Sequence, residues 1–165
     1  MNLAYFHSVR LVGFFFLVAA AFVLPAYAQS EKAAAKAGEV ESIKKVLHDQ
    51  KECWNRHDIE GFMAGYWRSE EMTFSGGGKI ARGWQATLDR YKKNYPKEKM
   101  GQLDFRNLEV TLLSDSAAMV LGDFHLTMPD RVSEGNFTLV MKKMSDGWKV
   151  IHDHSSNLEP KKENP

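Results

Sequence analysis

The sequence has 165 residues, of which 44% are hydrophobic and 26% are charged. Its 22 basic and 21 acidic residues leave a formal net charge of +1. This balance argues against nucleic acid as a main partner, because phosphate binding needs a basic surplus or a basic face. The length suits one domain with a sizeable core, and the single cysteine excludes an intrachain disulfide.

The first 28 residues have the pattern of a secretory signal peptide. Arg10 precedes an apolar run at residues 11–25, and the small residues Ala26 and Ala28 follow that run. We therefore expect cleavage near Ala28 and a periplasmic or secreted product. The alternative is an uncleaved anchor, but the run is short for a span of about 20 residues, so no stable membrane span is expected after cleavage.

The rest of the chain is expected to form one domain between two polar segments. Residues 29–39 are rich in alanine and lysine and lack an apolar anchor, so they are predicted to be a flexible spacer, with a helix possible where it joins the next segment. Residues 158–165 contain two prolines and are predicted to be a loose tail. The domain itself is then expected at residues 40–157.

Three helices are predicted in the first half of this domain. Apolar residues at helical spacing indicate a first helix that ends near Trp54. Asp58 is expected to cap a second, short helix. In a third helix, at residues 83–96, aromatic residues recur at steps of three and four until a proline stops the pattern. Residues 70–83 should form a short hairpin that turns at three glycines.

From Gly101 onward the hydrophobic period becomes two, which predicts four antiparallel strands connected as a meander. The alternation slips by one residue at Arg106 and Asn107, which indicates a β-bulge and a bent strand. Helices that come first and strands that come last are typical of an α+β protein. We expect the three helices to lie on one face of a strongly bent antiparallel sheet.

The order of these elements and three of their segments carry a resemblance to a known family. The segments are WNRHDIEGFMAGYW, GWQATLDRYKKNYP and FTLVMKKMSDGWKVIHDHSS. They resemble the nuclear transport factor 2-like superfamily, and more closely the SnoaL-like small exported proteins. The last strand is also similar to that of the association domain of calcium/calmodulin-dependent kinase.

This resemblance covers residues 40–156 and implies a cone-shaped, cystatin-like α+β fold with a pocket at its wide end. Members of the superfamily often form dimers or larger rings through the sheet face, so a homodimer is expected. They include isomerases, cyclases, hydrolases, dehydratases and binding modules. Function therefore has to be argued from the residues of the site.

Two histidines, His152 and His154, are expected to share one face of the last strand, because strand residues two apart point to the same side. They could be metal ligands, a pocket wall with general acid–base capacity, or a polar strand end. A metal site would need a further ligand, such as His125 or Asp123, which nothing in the sequence places beside the pair. We therefore expect no metal and no other cofactor.

Strand parity divides the last strand into two sets of side chains. Trp148 and Val150 would share the face of the two histidines, and Asp153 and Ser155 would lie on the opposite face with Ile151. An orienting carboxylate for a histidine would then have to come from another strand.

The resemblance to the kinase association domain implies which of these sets faces the pocket. It implies that His125 and Ser155 face the pocket, with Asp153 on the side of Ser155. The kinase domains have arginine at the positions of His125 and Ser155, so this pocket is expected to prefer neutral or mildly polar ligands. His152 and His154 would then face packing or an oligomer interface.

Aromatic side chains supply the remaining candidates. Tyr66 and Tyr91 are expected on helix faces that line the cone, where a phenol can donate a hydrogen bond to a carbonyl or a developing oxyanion. Trp54 would close the narrow side. The predicted ligand-binding residues are thus Trp54, Tyr66, Tyr91, His125, Asp153 and Ser155. The candidate catalytic residues are His125, His154 and Tyr91.

We expect an exported protein that binds an unidentified small molecule in an apolar pocket. If it is an enzyme, proton-transfer chemistry is expected, such as isomerisation, dehydration or hydrolysis. The alternative is a non-catalytic association module that works through its sheet face. A large exposed apolar patch would favour assembly, whereas a deep pocket with converging polar groups would favour ligand binding.

Overall fold

The computed structural model describes residues 15–158, with side chains from residue 29 onward. The chain divides into two units at the boundary between Gly38 and Glu39. The predicted signal peptide lies partly outside the described residues, because residues 1–14 are not described. Nearly all of the predicted loose tail, residues 159–165, also lies outside them.

The first helix, α1 (Phe15–Asn55), continues through the predicted spacer. Residues 29–38 are helical and exposed, which agrees with the expected helix where the spacer joins the next segment. Four alanines in this stretch favour the helix, because alanine has the highest helix propensity. Within the described part of the chain, no helix is both long and apolar enough to cross a membrane.

The remaining elements all belong to the second unit. In chain order they are α2 (Ile59–Met63), β1 (Thr73–Gly76), β2 (Lys79–Arg82), α3 (Trp84–Asn94), a short 3₁₀ turn (Lys97–Lys99), β3 (Gln102–Leu112), β4 (Ala117–Thr127), β5 (Val132–Met144) and β6 (Gly147–Asn157). The predicted cap of α2 is present, because the side chain of Asp58 accepts a hydrogen bond from the backbone N–H of Gly61 at 2.8 Å.

The strands form one six-stranded sheet in the order β2-β1-β6-β5-β4-β3. The predicted antiparallel meander is confirmed for β3 to β6. The predicted hairpin of β1 and β2 extends the same sheet, because β1 pairs in parallel with β6. The α+β class is therefore confirmed, with the helices before the main strands.

Two register shifts interrupt the ladders of this sheet. The predicted bulge in β3 is present between Arg106 and Glu109, where Asn107 has a φ of 52°. A second bulge, in β6, was not predicted. Val140 of β5 pairs with His152 and the next residue, Met141, pairs with Val150, so Ile151 has no partner across the ladder. Bulges bend a strand and increase its twist.

The core lies between the three helices and the inner face of the sheet. In α1 it contains Ile43, Leu47 and Trp54. In the strands it contains alternate apolar residues, because successive strand side chains point to opposite faces. Gly122 in β4 allows close packing, since a Cβ at this position would lie 2.5 Å from the ring of Phe137.

Candidate functional site

A cavity of about 220 Å³ opens between the helices and the inner face of the sheet. The buried side chains of Gln50 and Asp153 lie deep in its wall. The exposed members of the lining, Gly77, Asn94 and Asn157, mark its opening. The cavity therefore connects solvent with buried polar groups.

Aromatic rings form a large part of the cavity wall. The ring centroid of Trp54 lies 5.3 Å from that of Phe62 and 5.0 Å from that of Tyr95. Phe62 in turn lies 5.3 Å from Tyr91. The indole N–H of Trp54 donates to the backbone carbonyl of Met100 at 3.3 Å, so this side chain offers the cavity an apolar surface.

Asp153 is the only acidic residue that is buried in the described part of the chain, with 4% of its surface exposed. The hydroxyl of Tyr66 donates to its Oδ2 at 2.7 Å, and the hydroxyl of Ser155 donates to its Oδ1 at 2.8 Å. Burial raises the pKa of Asp153 to about 6, although the two hydrogen bonds and the charges of His154 and Arg90 oppose this rise. The carboxyl group can therefore exchange a proton near neutral pH.

The two tyrosines of the cavity are held in the protonated state. Burial raises the pKa of Tyr66 well above its ordinary value, and the nearby charge of Asp153 raises it further. Burial and Asp153 also raise the pKa of Tyr91, while a hydrogen-bonding interaction with Tyr66 acts in the opposite direction. Both phenols are consequently hydrogen-bond donors at any physiological pH.

Arg90 also lines the cavity, a position that was not predicted from the sequence. Its guanidinium lies 4.8 Å from the ring centroid of Phe74. Its Nη2 donates to the carbonyl of Gly76 at 2.6 Å, and its Nη1 donates to that of Lys79 at 3.4 Å. Its position next to Tyr91 could have indicated this, because an arginine beside the buried face of a helix can lay its aliphatic stem along the apolar surface.

His125 does not face the cavity, so that prediction is wrong. It lies in β4 between Phe124 and Leu126, both of which line the cavity, and strand alternation therefore turns His125 to the outer face. There its Nδ1 pairs with Glu134 of β5, and its Nε2 lies 3.2 Å from the hydroxyl of Thr127.

His152 and His154 also lie on the outer face, so His154 is not a catalytic group of this cavity. The Nδ1 of His152 lies 2.6 Å from the hydroxyl of Thr73, and His154 is exposed. The prediction that Trp148 and Val150 share this face is wrong. Both are buried on the inner side with Asp153, because the bulge at Ile151 changes the parity of the strand.

Five of the predicted ligand-binding residues are brought together around the cavity: Trp54, Tyr66, Tyr91, Asp153 and Ser155. Their contact with a ligand stays a prediction. Within the described residues, no group of three or more histidine, cysteine, aspartate or glutamate side chains is arranged to hold a metal ion.

Comparison with known proteins gives two findings at the level of the family. The sequence profile of the SnoaL-like domain family matches residues 43–160. A nuclear transport factor 2-like protein of unknown function from Shewanella oneidensis is 42% identical, with a TM-score of 0.68 over 71% of this chain and 98% of that chain. None of the curated proteins matches this sequence.

More distant structures share the fold. A ketosteroid isomerase-like protein from Erwinia carotovora is 20% identical, with a TM-score of 0.60 over 74% of this chain and 98% of that chain. A candidate scytalone dehydratase from Novosphingobium aromaticivorans is 14% identical, with a TM-score of 0.65 over 77% of this chain and 89% of that chain. At these identities the similarity establishes a nuclear transport factor 2-like, cystatin-like architecture and nothing further.

Proposed function

Because the chain belongs to the SnoaL-like domain family, we propose that it binds a small, largely apolar molecule and moves a proton on it. The observation that carries this proposal is the buried carboxyl group of Asp153 in the wall of an aromatic cavity, with its pKa raised to about 6. A group that titrates near the working pH is the best suited to general acid–base catalysis.

The reaction would use three side chains in separate roles. The carboxylate of Asp153 takes a proton from a carbon next to a carbonyl group. The electron pair of the broken C–H bond forms a C=C bond, and the π pair of the C=O bond moves to the oxygen. Tyr91 donates a hydrogen bond to that developing oxyanion. Tyr66 is bonded to the carboxylate and orients it. Return of the proton to another atom of the ligand completes an isomerisation, or assists the loss of water.

The names of two structural neighbours agree with this class of chemistry. One is called ketosteroid isomerase-like and another a candidate scytalone dehydratase. Isomerisation of a ketone and dehydration both require transfer of a proton. A histidine as the base, which the sequence suggested, is replaced in the proposal by Asp153, because no histidine of the described residues lines the cavity.

The alternative is an association module that works through the outer face of the sheet. Leu121 is 38% exposed on this face and would favour assembly. The apolar surface is interrupted, however, by Asp123, which accepts hydrogen bonds from Asn107 and Asn136, and by the His125–Glu134 pair. These polar groups make assembly the weaker candidate for the main function. We keep dimerisation through this face as a proposal that accompanies ligand binding, supported by the exposure of Leu121.

Export to the periplasm or the medium is also part of the proposal. Its support is the sequence of residues 1–28, in which an apolar run follows Arg10 and small residues precede the expected cleavage near Ala28.

Isotope exchange tests the proposed proton transfer without knowledge of the product. Phenylacetone in D₂O would be incubated with the protein, and the loss of its benzylic protons followed by NMR. We expect wild type to exceed the uncatalysed rate and Asp153→Asn to lose about 100-fold or more of this rate, since general base catalysis contributes that much. His125→Asn, on the outer face and outside the cavity lining, serves as the control and should retain the rate. A rate in Asp153→Asn equal to that of wild type would contradict the proposal.

A further inference from the structure

The cavity contains a cation whose charge acts on Asp153 from beyond ion-pair distance. Arg90 is partly buried in α3 and lines the cavity, yet none of the described carboxylates forms an ion pair with it. An arginine remains charged at any physiological pH. The guanidinium lies over the ring of Phe74, and an anionic partner would stabilise its charge because charged groups are poorly solvated beside apolar surfaces.

The contacts of Arg90 fix its position and leave part of its hydrogen-bonding capacity open. The backbone carbonyls of Gly76 and Lys79 accept from Nη2 and Nη1. A guanidinium has five N–H donors, so further donors are available to a ligand. The two carbonyls are uncharged and do not cancel the positive charge, whereas a carboxylate can pair with a guanidinium through two parallel hydrogen bonds.

The location of Arg90 suits recognition of one end of a ligand. Arg90 and Asn94 are four residues apart on α3 and therefore lie on the same side of the helix, near the opening that Asn94 marks. Asp153 is more deeply buried than Arg90, and Tyr66 and Ser155 already donate hydrogen bonds to its carboxylate. An anionic group that enters the cavity consequently meets the guanidinium before it meets the carboxylate.

We propose that Arg90 selects small ligands with a carboxylate at one end and a body the size of one ring, the carboxylate pairing with the guanidinium near the opening. This inference rests on the proposed function and names its substrate class. The volume of about 220 Å³ is below the roughly 300–1,000 Å³ of pockets for drug-sized ligands, so a single ring with a short side chain fits. The expectation of a neutral ligand is thereby revised.

A purely structural role for Arg90 predicts different behaviour. In that case its bonds to Gly76 and Lys79 would only fasten the β1–β2 hairpin to α3. Replacement would then lower stability and weaken the binding of all ligands equally. If Arg90 is only structural, its replacement should not change the ratio of the affinities for an acid and for its neutral isostere.

Calorimetric titration with three matched compounds tests the inference: phenylacetate, phenylacetamide and phenethylamine. On wild type we expect phenylacetate to bind about tenfold or more tightly than the amide, because a hydrogen bond to a charged partner exceeds one to a neutral partner. The amine, which the guanidinium repels, should bind more weakly than the acid. Arg90→Met should abolish the preference for the acid and Arg90→Lys should retain part of it. Lys93→Met removes the same charge from an exposed site of α3 and should behave as wild type.

Equal affinity of wild type for the acid and the amide would overturn the inference and leave the proposed function intact. A preference for the acid that persists in Arg90→Met would overturn it as well. If none of the three compounds binds while the exchange of phenylacetone persists, the inference fails alone; if that exchange is also absent, both proposals fail. Because the wild-type comparison needs no variant, a failure of Arg90→Met to fold leaves the test decisive.

Discussion

At the scale of single residues, the chemistry of the cavity depends on one carboxyl group in an unusual environment. Asp153 is surrounded by aromatic side chains and receives two hydrogen bonds from hydroxyl groups, from Tyr66 and Ser155. The hydrogen bonds favour the ionised form, but burial opposes it more strongly and raises the pKa to about 6. The same carboxyl can therefore accept a proton and return it at neutral pH.

The shifted pKa of Asp153 predicts a dependence of stability on pH. Because the folded protein binds this proton more tightly than the unfolded chain does, the free energy of unfolding falls as the pH rises from about 4 to about 6. Asp153→Asn lacks this contribution. Urea unfolding of both proteins should show wild type losing roughly 3 kcal/mol relative to the variant across this window. If the difference in free energy of unfolding between wild type and Asp153→Asn stays constant with pH, the raised pKa of Asp153 is contradicted.

Some site residues could be predicted from local rules and others could not. Strand alternation, which is a local property, predicts that Asp153 lies on the face of β6 opposite to that of His152 and His154. The predicted orientation of His125 rested on the resemblance to the kinase association domain. It was wrong because Phe124 and Leu126, on either side of His125 in β4, face the cavity and strand alternation turns His125 away from it. Arg90 was missed because a helical stripe identifies buried apolar residues, whereas an arginine contributes only the end of a long side chain.

At the scale of elements, the two bulges determine which side chains reach the cavity. The bulge in β3 was predictable, because polar and apolar residues alternate on both sides of Arg106. The bulge in β6 was not, because Val150 and Ile151 are both apolar and hide the change of phase. The structure shows that Ile151 is the extra residue, which places Val150 and Asp153 on the same face.

Single deletions test this role of Ile151. Removing Ile151 should restore regular pairing and leave Asp153 and Ser155 facing the cavity, since the residues on either side already pair with consecutive residues of β5. Removing His154, another outer-face residue, should turn Ser155 outward, because a shift of one residue exchanges the faces. The exchange of phenylacetone and the thermal unfolding of the two variants are the measurements. Exchange and stability should be retained better after deletion of Ile151 than after deletion of His154. Loss of exchange after deletion of Ile151, with exchange retained after deletion of His154, would contradict the assignment.

The parallel pairing of β1 with β6 shows a limit of prediction at the scale of elements. The hairpin itself was predictable from its glycines, but its partner strand is 79 positions away for the Thr73–His152 pair. No local pattern specifies a contact of this range. The pairing nevertheless brings Phe74 and Gly76 into the cavity wall and supplies the carbonyl that holds Arg90.

At the scale of the whole molecule, the sequence predicted the class of fold because the change of hydrophobic period from helical to alternating is strong and occurs once, near Gly101. For residues 29–38 the polar composition predicted a spacer and allowed a helix only where it joins the next segment; the structure continues α1 through all of them, as the propensity of the alanines favours. The packed unit that contains the cavity begins at Glu39.

Native mass spectrometry tests the proposed export and dimerisation in one measurement. Protein recovered from the periplasm or the medium should consist of chains that begin at Gln29, with a dimer as the main species. Leu121→Lys places a charge on the outer face of the sheet and should shift the dimer to monomer, while Lys93→Met should not. A chain of full length would contradict export with cleavage, and a monomeric wild type would contradict dimerisation.

The pH profile of proton exchange tests the central claim most directly, because it joins the position of Asp153, its pKa and its role as base. With wild type, the rate of phenylacetone exchange should rise with pH through an inflection at about 6 and then reach a plateau, as the carboxyl group ionises. The inflection should be absent in Asp153→Asn. An identical inflection in both proteins, or a wild-type rate that does not change between about pH 4 and 8, would contradict the assignment of Asp153 as the proton-transfer group.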